Sequence, residues 1–200
     1  MRLINPQDMN IFAAMRPVFL IGYMGCGKTT LGRALSRKMG YEFIDLDIYI
    51  ENRYRHSIKE LFALHGEAGF RKIERKMLEE ICEFERTVVA CGGGTPCHFD
   101  NIALMNSKGT TVYLTTSAER IAARLSLPGA KAKRPIIAGK TDGELKQFIA
   151  DNLKAREPYY SQASITFDST DIETAAATEA TAALLAGILA FPANKRGNHQ

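Results

Sequence analysis

The amino-acid sequence predicts an α/β fold: a parallel sheet with helices on both faces. Three observations point there. Short apolar runs recur at 18–21, 42–46, 87–91, 110–114 and 164–167, helical patterns fill most of the gaps between them, and the first run leads straight into a glycine-rich turn. Strands that alternate with helices of this length wind into parallel sheets, and such sheets bind ligands at the carboxyl ends of their strands. Two hundred residues, 46% hydrophobic and 24% charged, suit one globular domain large enough to bury a core.

The first strand, Val18-Phe19-Leu20-Ile21, is followed by Gly22-Tyr23-Met24-Gly25-Cys26-Gly27-Lys28-Thr29, which reads G-x-x-x-x-G-K-T. Strand, glycine turn and helix start together offer a row of backbone N–H groups and a positive dipole end, the setting a polyphosphate needs. Gly25, Cys26, Gly27, Lys28, Thr29 and Thr30 are therefore candidate triphosphate contacts. Within them, Lys28 should reach the β- and γ-phosphates and the Thr29 hydroxyl should ligate Mg²⁺. An ordinary turn with an exposed lysine is the bland alternative. The strand before the motif weighs against it, as does the helix after it, where Leu31, Ala34, Leu35 and Met39 keep helical spacing until Gly40 stops it.

The second strand ends in Asp45-Leu46-Asp47, two carboxylates at the rim where the phosphates should lie. Strand alternation would send them to opposite sides, one toward a metal and one toward an acceptor, whereas an irregular strand end could bring both into the site. Ser57-Ile58-Lys59-Glu60 has capping-box form and should open a short helix before His65-Gly66-Glu67. A longer helix over 67–83 then places Arg71 near its start.

The third strand runs into Gly92-Gly93-Gly94. Three glycines in succession are entropically costly, so close approach of a ligand to their main chain is the functional reading, against a merely flexible turn. Between Leu125 and Lys140 the pattern dissolves into a basic, turn-rich stretch that includes Arg134, which reads either as a mobile lid over phosphates or as a solvated loop. Arg156 lies in Lys154-Ala155-Arg156-Glu157-Pro158-Tyr159-Tyr160. Singly, Arg71, Arg134 and Arg156 are ordinary surface ion-pair residues; gathered at one site, their guanidinium forks suit a small anionic acceptor. The Ala-rich stretch 175–191 carries Glu179 and several threonines and reads as a C-terminal helix packed on the domain.

Several function classes are disfavoured. The net charge of +4 is mild and spread along the chain, with no basic tract interleaved with aromatics, so nucleic acid is not an expected partner; nor is a membrane. Residues 1–14 lack the basic start and long apolar core of a signal peptide and read as a disordered extension. Cys26, Cys82, Cys91 and Cys97 show neither C-x-x-C spacing nor partner histidines, which suits a reducing cytoplasm. Cys26 reads first as a small side chain in the loop, and second as an oxidation-sensitive thiol.

The ordered set Gly22 to Thr30, Asp45-Leu46-Asp47, Phe70-Arg71-Lys72-Ile73-Glu74, Gly92-Gly93-Gly94, Arg134-Pro135-Ile136-Ile137 and Arg156-Glu157-Pro158-Tyr159-Tyr160 resembles shikimate kinase over roughly residues 17–167. That resemblance implies a P-loop kinase three-layer fold with a five-stranded parallel sheet and a mobile lid. It also implies transfer of a phosphoryl group from ATP, with Mg²⁺, to the 3-hydroxyl of shikimate, by a monomer. Carried over residue by residue, Lys28 is the phosphate lysine, Thr29 the direct Mg²⁺ ligand and Asp45 a ligand through water. Asp47 becomes the acceptor-side acid; Arg71, Gly93, Gly94 and Arg156 grip shikimate; Arg134 is the lid arginine; Arg124 stacks on adenine.

Two departures stand out. Arg124 to Arg134 is a few residues longer than the usual lid, and Asp168-Ser169-Thr170-Asp171 lacks the arginine often found there, which leaves main-chain contacts to adenine. The expected organisation is an extension over 1–14, one domain over 15–191 with a shikimate-binding segment about 45–80 and a lid about 125–140, and a flexible tail over 192–200. A kinase of gluconate or a nucleotide, and a non-catalytic ATP-binding module, are the alternatives. Retention of every phosphoryl-transfer residue argues against the module.

Overall fold

A computed structural model describes residues 16–127, 129 and 135–190. Its strands are β1 (Val18–Ile21), β2 (Glu42–Asp45), β3 (Thr87–Ala90), β4 (Thr110–Thr115) and β5 (Ile165–Asp168). They form one sheet in the order β2-β3-β1-β4-β5, and every pairing is parallel. Each observed strand lies within a residue of its predicted bounds. The helices are α1 (Lys28–Met39), α2 (Leu46–Tyr54), α3 (Ile58–Ile81), α4 (Asn101–Lys108), α5 (Ala118–Ser126), α6 (Pro135–Ala138), α7 (Asp142–Tyr160) and α8 (Ala175–Ala190).

The side-chain alternation of β1 divides the core into two layers. Val18 and Leu20 point to one face, where they meet Leu31, Ala34 and Leu35 of α1 and Ala182 and Leu185 of α8. Phe19 and Ile21 point to the other, among Leu78 of α3, Ile102 of α4, Leu125 of α5 and Ile149 of α7. The Ala-rich stretch forms α8, which packs on α1 as its pattern predicts. No helix among the described residues is long and apolar enough to cross a membrane.

The short and long helices expected around residue 66 are both present within Ile58–Ile81: the first is opened by the Ser57/Glu60 capping box, and Gly66, at φ 65° and ψ −179°, kinks the chain before the second. The Asp45-Leu46-Asp47 strand end is irregular: β2 stops at Asp45 and α2 starts at Leu46, so Asp47 stands in the first turn of a helix and the strand alternation does not apply. The expected extension over 1–14, the tail over 192–200 and Arg134 lie outside the described residues.

Candidate active site

Gly22 to Lys28 leaves β1, the central strand, and enters α1. Gly27 caps the helix in the left-handed region, at φ 100° and ψ 14°. A Cβ there would come within 2.1 Å of Ile172 Cδ1, so both backbone and space demand glycine. Ser169, just after β5, donates from its hydroxyl to the carbonyl of Cys26 at 2.8 Å. The segment leading into α8 thereby closes over the loop. Lys28 Nζ turns back to donate to the carbonyls of Gly22 and Tyr23, at 2.8 and 2.9 Å. Cys26 is buried with its Sγ 3.8 Å from that ammonium.

The next group is acidic. Thr29 Oγ1 donates to Asp45 Oδ2 at 3.0 Å, which unites the start of α1 with the end of β2. Asp47 joins them in the same cleft. This cleft, of about 430 Å³, is lined by the phosphate loop, both aspartates, Gly92, Gly93, Arg124, Ile172 and Glu173. Asp47 is exposed to solvent there, yet much protein stands close around its carboxylate. Withdrawal of its carboxylate from bulk water, followed by repulsion from Asp45 and Glu74, raises its pKa to about 6, against a smaller opposing pull from Lys28. Water filling the open cleft screens part of that effect, and a substrate that displaced the water would strengthen it.

Thr29 and Asp45 suit a hard cation that keeps most of its shell for water and substrate phosphate, as Mg²⁺ does. Among the described residues no group of three or more His, Cys, Asp or Glu converges to hold a metal, so a cation here would depend on nucleotide to complete its coordination.

The acceptor-side residues come from four places and meet around Gly92-Gly93-Gly94. A Cβ on Gly92 would lie 3.1 Å from Asp47 Oδ1, one on Gly93 3.2 Å from Arg156 Nη1, and one on Gly94 2.9 Å from Arg71 Nη2. The three glycines thus make room for three charged side chains. Arg71 is held by Glu74, buried beside it at 2.9 Å, and by Glu67 at 3.3 Å. Glu74 also accepts the Thr95 hydroxyl at 2.6 Å. Tyr160 donates to the Gly93 carbonyl at 2.6 Å. The sequence reading assigned no role to Glu74 or Tyr160, although both stand in motifs it singled out. The i, i+3 spacing from Arg71 was the signal for Glu74.

Arg124 closes the other end of the cleft. Its guanidinium donates to the carbonyls of Gly25 and Thr170, at 3.1 and 3.0 Å, and pairs with Glu173 at 2.8 Å. Glu173 was also missed, since nothing in its sequence spacing links it to Arg124. Among the other cysteines, burial pushes the Cys82 thiol up to about 11 and raises that of Cys91 further, which leaves both unreactive near neutrality.

The family model for shikimate kinase matches residues 24–185. The chain belongs to the shikimate kinase family. A shikimate kinase of Parabacteroides distasonis is 52% identical over 155 residues, which cover 78% of this chain and 88% of that protein. Among solved structures, a shikimate kinase from Bacteroides thetaiotaomicron superposes with a TM-score of 0.84 at 45% identity, covering 88% of this chain and 98% of the other. A shikimate kinase from Acinetobacter baumannii, solved in complex with shikimate, gives 0.76 at 32% identity, with 92% and 98% covered. The P-loop kinase architecture expected of the family, an all-parallel five-stranded sheet flanked by helices, is the one observed here.

Proposed function

We propose that this chain transfers the γ-phosphoryl group of ATP to the 3-hydroxyl of shikimate, releasing ADP and shikimate 3-phosphate on the route to chorismate and the aromatic amino acids. The observation that carries this reading is the meeting of the phosphate loop and the two acceptor-side arginines across Asp47 and Gly93, in a chain of this family. Gluconate or a nucleotide would not call for Arg71 and Arg156 at a triple glycine.

In this reading the N–H groups of Gly25, Cys26, Gly27, Lys28, Thr29 and Thr30 hold the triphosphate, and Lys28 moves from its carbonyl partners onto the β- and γ-oxygens. Arg124 lies along adenine. Thr29 directly, and Asp45 through water, would hold Mg²⁺, which when bound neutralises charge on the phosphates. Arg71 and Arg156, with Gly93 and Gly94, bind the carboxylate and ring hydroxyls of shikimate; the segment about 45–80 supplies Asp47 and Arg71 to that side. Asp47, largely ionised above pH 6, orients the 3-hydroxyl and takes its proton. The 3-oxygen bonds to the γ-phosphorus while the bond from that phosphorus to the bridging oxygen of ADP breaks. Arg134, on a lid over about 125–140, supplies positive charge as charge develops.

The working unit in this reading is one domain over 15–191, acting as a monomer in the cytoplasm. A coupled ADP-release assay tests it: release should require shikimate. Release driven by gluconate or a nucleotide, with shikimate inert, would overturn it.

A further inference from the structure

Tyr23 belongs to the phosphate loop by sequence, but its side chain turns away from the donor. The residue is 1% exposed and its ring lies under Arg156, with the guanidinium carbon 5.2 Å from the ring centroid. Its hydroxyl is buried and has no hydrogen-bond partner among the described residues. A phenol held for its oxygen would be expected to find a partner, so the face of the ring is the part the fold uses here.

Both acceptor-side arginines lie over aromatic rings, Arg71 over Phe62 and Phe70 at 5.7 and 5.4 Å and Arg156 over Tyr23, but they differ in what else holds them. Arg71 has Nη1 on Glu74 and Nη2 on Glu67, so both terminal nitrogens are engaged. Arg156 has an aromatic face below it, the neutral Tyr160 hydroxyl beside it and the Gly93 backbone in front. A ring face orients a guanidinium without occupying its N–H edge, which remains available to grip a carboxylate bidentately. The main chain of Tyr23, meanwhile, accepts the Lys28 ammonium.

We propose that Tyr23 is a positioning residue for the acceptor: its ring holds Arg156 in the plane that receives the substrate carboxylate, although it is a phosphate-loop residue. The inference rests on the reading of Arg156 as an acceptor-binding group. Its consequence is specific: loss of the ring weakens acceptor binding, not nucleotide binding.

The experiment is steady-state ADP release at varied shikimate and varied ATP. Tyr23→Leu should raise the KM for shikimate by about 5- to 20-fold and leave the KM for ATP and kcat within about twofold, because the lost contact is made equally in ground and transition states. Tyr23→Phe, which keeps the ring, should restore the parental shikimate KM and melt no lower than the parent. In an Arg156→Ala background, Tyr23→Leu should add little. If Leu disrupts folding, pentafluorophenylalanine at position 23 keeps the shape and inverts the ring's charge distribution, and it must raise the shikimate KM. The proposal falls if the Leu variant folds with an unchanged shikimate KM, if its defect lies in ATP KM or kcat, or if Phe is as impaired as Leu. An Arg156→Ala variant with parental shikimate KM would remove the role of Arg156 itself, and absence of shikimate-dependent release in the parent would remove the proposed function.

Discussion

The donor and acceptor halves of the cleft are built in different ways. The donor half is one continuous stretch, Gly22 to Thr30, whose functional groups are chiefly backbone N–H groups presented by a strand, a turn and a helix start. The acceptor half draws on α2 for Asp47, on α3 for Arg71, on the turn after β3 for three glycines and on α7 for Arg156. Local chain geometry makes the first; packing of distant elements makes the second. A lesion in the phosphate contacts from Gly25 to Thr30 should therefore act on phosphate chemistry alone, while the acceptor half should be open to damage through residues that never touch shikimate, Tyr23 among them.

Substitutions can break this division or sharpen it. Asp47→Asn should have the largest effect, lowering kcat by about 10²- to 10⁴-fold while ATP binding, followed by titration calorimetry, stays near parental. Parental turnover in that variant would remove Asp47 from the chemistry. The parent should lose kcat on acidification through about pH 6, where the raised Asp47 carboxylate takes up its proton, and the Asn variant should lack that limb. Lys28→Ala should lower kcat by about 10²- to 10³-fold with the shikimate dissociation constant unchanged. A large change in that constant would mean that the halves are not separable.

Gly94→Ala should raise the shikimate KM by about tenfold, since its Cβ would lie 2.9 Å from Arg71 Nη2 and displace a group held by Glu74. An unchanged KM would show that Arg71 is not needed where it stands. The smallest effect is on stability. Asp47 has a raised pKa in the folded chain, so its carboxylate costs stability as pH rises through about 6 and costs nothing below the unfolded value. Asp47→Asn should melt higher at pH 8, by about 1 kcal/mol once screening by cleft water is allowed for, and equally with the parent at pH 3.5.

What could be read in advance follows the same divide. Periodicity located all five strands, and the glycine spacing located the donor half, because both are set within a few residues. The capping box at Ser57 and the helix break at Gly66 were legible for the same reason. Asp47 was legible as a site residue, but its helical position was not, since α2 begins directly at the strand end. Tyr23, Tyr160 and Glu173 act through partners 49 to 133 residues away, so their parts became visible only in three dimensions, whereas Glu74 stood three residues from Arg71 and could have been read from that spacing. The resemblance to a kinase family supplied the acceptor, which no spacing rule identifies.

Ile172 seated over Gly27, with Ser169 tied to the Cys26 carbonyl, has a consequence for biosynthesis. The phosphate loop is finished by a segment made 143 residues later in the chain. Until about residue 172 has emerged, the left-handed turn at Gly27 lacks its apolar cover and the loop lacks its anchor. Nucleotide therefore meets a covered and anchored loop only after that later segment has been made.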